Sequence, residues 1–143
     1  MTGQSQTGQC LCGAIKLTAI VAPGIQACHC QQCRRWTGGG PLYSVRVTDL
    51  ELTGEEHINA YRASEWGERA SCKHCGSVLY WKMQGKPPSF IVPGLLDDQT
   101  GLSVTEEIFS DCSAPWSVRF DGANQSTEAE EKAKFEAYMA TQK

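Results

Sequence analysis

Seven of the eight cysteines fall into three tight clusters, Cys10-Leu11-Cys12, Cys28-His29-Cys30-Gln31-Gln32-Cys33 and Cys72-Lys73-His74-Cys75. Cysteines two or three residues apart in a turn can aim their sulfurs at one point about 2.3 Å from a tetrahedral ion, so the grouping predicts bound zinc. A closed structural site takes four thiolates, whereas a catalytic zinc keeps three protein ligands and leaves one position for water or substrate. Seven ligands therefore divide as four plus three, giving two zinc ions per chain. The middle cluster supplies three ligands within six residues, while each outer pair supplies two and needs partners far along the chain. If Cys10 and Cys12 join Cys72 and Cys75, they close a structural site that staples the N-terminal segment to the middle of the fold. Cys28, Cys30 and Cys33 then form the open, catalytic site. A disulfide framework, an iron–sulfur cluster and a redox CxxC pair are the competing uses of such clusters.

Disulfides need an oxidising compartment. The start, Met1-Thr2-Gly3-Gln4-Ser5-Gln6, has no charged stretch leading into an apolar one, so no signal peptide is expected. A chain of 143 residues is expected to form one domain over 1–143 that a structural metal would help to hold. A net charge of −3 and a pI near 5.6 argue against a nucleic-acid partner, which would want a basic face. The longest apolar runs fall far short of the roughly 20 residues of a membrane span. Together these features predict a reducing, cytoplasmic setting.

The intervening sequence reads as short strands with β-branched and aromatic character: 12–21, closed by a Pro23-Gly24 turn, then 42–47, 51–53, 58–62, 77–81, 90–92 and 105–109. One helix is expected, over about 127–141, where Thr127 and Glu130 can form a capping box. Phe135, Tyr138 and Met139 make an apolar stripe predicted to pack on a sheet. The fold class is mainly β with a C-terminal α-helix.

The segments Gly8-Gln9-Cys10-Leu11-Cys12-Gly13, Cys28-His29-Cys30-Gln31-Gln32-Cys33-Arg34-Arg35-Trp36-Thr37-Gly38 and Cys72-Lys73-His74-Cys75-Gly76-Ser77 resemble the glutathione-dependent formaldehyde-activating enzyme family, which also includes centromere protein V. The likeness continues through 93–98 and 116–122, so it covers a core of about residues 8–122. A departure is Ala70-Ser71, where members often carry an aromatic residue. The resemblance implies coiled antiparallel sheets, a β-tent, with two zinc sites divided as above. It also implies carbon–sulfur lyase chemistry, in which glutathione and formaldehyde form S-hydroxymethylglutathione.

At an open site of Cys28, Cys30 and Cys33, zinc favours the thiolate over the thiol and can act as a Lewis acid on a carbonyl. Arg34 or Arg35, directly after the last ligand, could offset the added charge or hold a carboxylate of a thiol such as glutathione. Either could equally be a solvated surface arginine. If the run from Cys28 to Cys30 is extended, the His29 ring points away from the sulfurs. His57 is a candidate distant fourth ligand, and His74 is expected to be exposed. Gly38-Gly39-Gly40-Pro41 reads as a flexible turn into a strand, or as backbone open to an anionic substrate. Trp36 and Trp66 could wall a pocket, and Cys112 reads as a lone thiol. The alternative to an enzyme is a non-catalytic zinc-binding interaction module. The sequence leaves the oligomeric state open.

Overall fold

The computed structural model describes residues 3–142; Met1, Thr2 and Lys143, part of the leader reading and of the span 1–143, lie outside the described residues. The chain is mainly β, with two sheets and a C-terminal helix. It divides into two compact units, one of Met1–Gly24 with Ser44–Ser103 and one of Ile25–Tyr43 with Val104–Lys143. No helix among the described residues is long and apolar enough to cross a membrane.

In the first unit, β1 (Gln4–Gln9) pairs antiparallel with the first half of β2 (Lys16–Cys28), from Gln4 opposite Val21 to Gln9 opposite Lys16. Leu17, Ala19 and Val21 are buried while Lys16, Thr18 and Ile20 are exposed, the period-2 pattern of a half-buried strand. The polar run Gln-Ser-Gln-Thr-Gly-Gln of β1 carries no such signal, and the strand forms because it pairs with β2. Pro23-Gly24 does not end β2 as expected. Proline lacks only a donor, and Gln4↔Val21 is already the end of the ladder with β1. The two expected strands 42–47 and 51–53 are one element, β3 (Leu42–Thr53), with Asp49 in the left-handed region at φ 52°. β4 (Ile58–Arg62), β5 (Gly67–Cys72) and β6 (Val78–Met83) form the three-stranded antiparallel sheet, and β7 (Phe90–Ile91) pairs with β3. β5, which the sequence reading missed, carries a register shift at Ala70/Ser71, and Ala70 is fully buried there. The unit's core is apolar: Ile15, Val45, Leu79 and Ile91 are each at most 2% exposed. Each contributes about 1.5–3 kcal/mol by leaving water.

One glycine of this unit fixes the approach of two segments. Gly54 lies at φ 84°, and a Cβ on it would run into the carbonyl oxygen of Ala14. Gly54→Ala combines a left-handed alanine with a backbone clash, and should cost about 2–4 kcal/mol. The check is a thermal melt, where the midpoint should fall by roughly 10 °C. An unchanged midpoint would show that the segment carrying Ala14 gives way freely.

The second unit holds the end of β2, a short helix α1 (Gln31–Thr37), β8 (Ser103–Ile108), β9 (Asn124–Ser126) and α2 (Glu128–Ala140). β8 and β9 pair in parallel. Helix α2 starts as the sequence predicts: the Thr127 hydroxyl accepts from Glu130 N–H and the Glu130 carboxylate accepts from Thr127 N–H. Its stripe is covered only in part, with Phe135 and Met139 half-buried and Tyr138 39% exposed. Much of what this unit buries is polar: His29, Glu107, Ser110 and Ser126 beside Ala27, Cys33 and Leu42.

Candidate metal centres

The structure brings both predicted cysteine sets together. The sulfurs of Cys10, Cys12, Cys72 and Cys75 all lie within 4.8 Å of one another, as do those of Cys28, Cys30 and Cys33. No disulfide joins any of the eight cysteines.

The four-sulfur cluster belongs to the first unit and is built from two turns. Cys10 follows β1, and its carbonyl accepts from Gly13, a glycine at φ 81° that reverses the chain. Cys72 ends β5, and its carbonyl accepts from Gly76 at φ 78°. Backbone N–H groups of Ile15 and His74 point at the sulfurs of Cys10 and Cys72, at 3.4 Å each. The Ser77 hydroxyl ties the two turns, accepting from Leu11 N–H at 3.0 Å and lying 3.2 Å from Cys75 Sγ.

The sulfurs of Cys10 and Cys12 are 3.7 Å apart, and those of Cys12 and Cys72 3.8 Å. A tetrahedron with metal–sulfur bonds of about 2.3 Å has edges of about 3.8 Å, so the set fits such an ion. The thiols also perturb one another. The Ala14 N–H pulls Cys12 down, but burial and the three neighbouring sulfurs prevail and push it to about 11. The Ser77 hydroxyl and N–H bring Cys75 down to about 5. Burial opposes ionisation of Cys10, yet the Ile15 N–H and the thiols of Cys12 and Cys72 hold it below its ordinary value. Sulfurs this close resist ionising together, and a cation among them reverses that.

The three-sulfur cluster belongs to the second unit. Cys28 closes β2, Cys30 is the N-cap of α1, with its sulfur accepting from Cys33 N–H at 3.3 Å, and Cys33 is buried in the first turn of that helix. The neighbouring thiols of Cys30 and Cys33, with burial added, push the Cys28 thiol far above its ordinary value. Three soft donors within 4.8 Å of one another can hold a metal ion and leave a coordination position open.

Beside this cluster lies an open cleft of about 380 Å³ lined by Arg34, Arg35, Gly38, Gly39, Ala114 and Trp116. Gly38 caps α1 in the left-handed region at φ 95°. A Cβ on Gly39 would meet the Trp116 indole at 3.2 Å, so glycine is what lets that ring close down on the loop. The cleft thus takes its indole from Trp116, not from Trp36 or Trp66; Trp66 lies in the first unit. Arg34 is half engaged, its Nε donating to the His29 carbonyl at 3.3 Å.

His29 is the residue whose surroundings the sequence least revealed. It is 1% exposed, and its Nε2 stands 2.8 Å from Oε1 of Glu107, itself 0% exposed. Oε2 of Glu107 accepts from Gln125 Nε2 at 2.6 Å and from Phe120 N–H at 3.2 Å. Behind Gln125, Arg119 donates to its Oε1 at 3.0 Å and to the Ser110 carbonyl at 2.7 Å. Burial alone would raise Glu107, but its three donors hold the carboxyl below the usual carboxylate range. Of the other histidines, His74 is exposed as expected. His57, the candidate distant fourth ligand, lies in the first unit with its Nδ1 2.9 Å from His74 Nε2. Cys112 donates to Glu128 at 3.2 Å, and burial together with that carboxylate pushes its thiol up to about 11. In the sequence, Glu106-Glu107 gave no sign of which side chain turns inward.

Comparison with known proteins gives matches of three kinds. The family described as glutathione-dependent formaldehyde-activating enzyme matches residues 5–112. An uncharacterized lyase of Schizosaccharomyces pombe is 40% identical over 87 residues, 59% of this chain and 63% of that protein, so the chain spans less than two thirds of that relative's length. A crystal structure of a Rhodobacter sphaeroides protein superposes with a TM-score of 0.53 at 20% identity, covering 85% of this chain and 99% of that one, a likeness of fold. With the family match running from before the first cysteine cluster past the last, the chain belongs to the glutathione-dependent formaldehyde-activating enzyme family.

Proposed function

We propose that the protein is a zinc-dependent enzyme of the carbon–sulfur lyase type that joins the thiol of a small peptide-like molecule, such as glutathione, to formaldehyde. In this reading Cys10, Cys12, Cys72 and Cys75 hold a structural zinc, and Cys28, Cys30 and Cys33 hold a second at the reaction site. The observation that carries it is the three-sulfur cluster whose last member, Cys33, is followed directly in sequence by Arg34 and Arg35, two residues that line the cleft. The family match and the lyase name of the fission-yeast relative support the reaction class.

A zinc ion at the three-sulfur site would favour the thiolate form of an incoming thiol and polarise a carbonyl. The chain's own residues bind and orient. Arg34 and Arg35 present guanidinium groups to a carboxylate, for which the planar fork is suited, and they offset the negative charge of the sulfurs. Gly38 and Gly39 keep one wall of the cleft low enough for backbone N–H groups to meet the substrate. Trp116, 69% exposed, supplies a flat apolar face that can cover a bound peptide. In the forward direction a sulfur–carbon bond forms and the thiol proton ends on the former carbonyl oxygen. The eight unbridged cysteines suit a reducing, cytoplasmic setting.

The test is nuclear magnetic resonance of glutathione with carbon-13 formaldehyde, with and without zinc-loaded protein. Faster exchange between free formaldehyde and S-hydroxymethylglutathione is expected. Exchange at the uncatalysed rate with two zinc ions bound per chain would overturn the reading.

A further inference from the structure

We propose that Glu107 is a positioning residue for the three-sulfur cluster, acting through His29, which it locks between Cys28 and Cys30. The inference rests on the reading that Cys28, Cys30 and Cys33 hold a metal ion. Cys28 ends a strand and Cys30 is extended at φ −61°, ψ 157°, so along Cys28-His29-Cys30 the side chains alternate. The two sulfurs take one side and the imidazole the other. Any shift of the His29 backbone therefore moves both sulfurs, and holding its ring restrains that shift.

That one residue is held at three points. Its N–H donates to the Ile108 carbonyl at 3.0 Å, its carbonyl accepts from Arg34, and its ring meets Glu107. Glu107 takes three donors, from His29, Gln125 and Phe120. Gln125 Nε2 and the Phe120 N–H can only donate and both meet Oε2, so that oxygen accepts. With Glu107 a carboxylate, Oε1 accepts as well, and His29 Nε2 is then the protonated nitrogen. A buried polar pair of this kind gains little stability over two apolar side chains of the same volume. Its use is directional: partners behind a metal cluster fix its ligands, and their loss typically weakens metal binding about 10–100-fold.

The experiment is Glu107→Gln, nearly the same shape but with an NH2 facing either the His29 N–H or the Gln125 and Phe120 donors. Zinc and cobalt affinities are measured by chelator competition, together with the cobalt spectrum. The four-sulfur site should keep its metal and the fold its dichroism. The three-sulfur site should bind about 10–100-fold more weakly, with altered sulfur-to-cobalt absorption. Wild-type affinity and spectrum at that site in Glu107→Gln would overturn the proposal. If the variant does not fold, the wild-type His29 Nε2–H resonance decides. Because coupling is reciprocal, its protection from exchange should fall when a chelator strips the three-sulfur site and the four-sulfur site stays loaded. Unchanged protection overturns the proposal. A wild-type protein that binds no second metal would instead defeat the metal reading on which it rests.

Discussion

Cys72→Ser should yield an unfolded or insoluble protein. Cys72 is 2% exposed, closes β5, and shares its cluster with three sulfurs drawn from two turns about 60 residues apart in sequence. Structural zinc in small domains binds with an apparent free energy of about 10–16 kcal/mol, while a whole domain is stable by about 5–15 kcal/mol. Losing one of four thiolates removes a large part of the first quantity, and that is enough to exhaust the second. Serine also puts a hydroxyl in place of a thiolate, and it binds zinc poorly. Far-ultraviolet dichroism and metal content of the purified variant are the measurements. An unchanged melting temperature with two metals per chain would remove the structural role from this cluster.

Cys30→Ser should do the opposite, sparing the fold and abolishing activity. Cys30 caps α1 through its sulfur, and serine is among the preferred N-cap residues, so the helix keeps its start. The three-sulfur set loses one soft donor of three. The loss of turnover should exceed the roughly 10–100-fold that removing a mere supporting partner costs. In the cobalt form, the sulfur-to-metal absorption of this site should drop, and millimolar glutathione, which is expected to change that spectrum in the wild type, should have no effect in the variant. S-methylglutathione, which lacks the thiol, should leave both proteins unchanged. Equal responses to the thiol and to its methyl ether would show that the sulfur is not what engages the site.

The sequence alone showed which cysteines could gather into clusters able to hold a metal, because cysteine spacing is a local property. Two sulfurs separated by one or two residues converge whenever a glycine such as Gly13 or Gly76 lets the chain turn at positive φ. The capping box at Thr127 and the alternation of Leu17, Ala19 and Val21 are local too, and both are present in the fold. What depended on distant partners was not legible. β1 is polar and is a strand only because β2 pairs with it. Pro23-Gly24 looked like a turn, yet the strand continues beyond its ladder with β1. The network behind the three-sulfur site was hidden for the same reason. His29 and Glu107 are 78 residues apart, and nothing in either segment says that the two will be buried face to face. Trp116 and its fit over Gly39 likewise exist only once the chain has folded back on itself. Spacing fixes which atoms can ligate, and tertiary structure decides what holds them in place and what lies beside them.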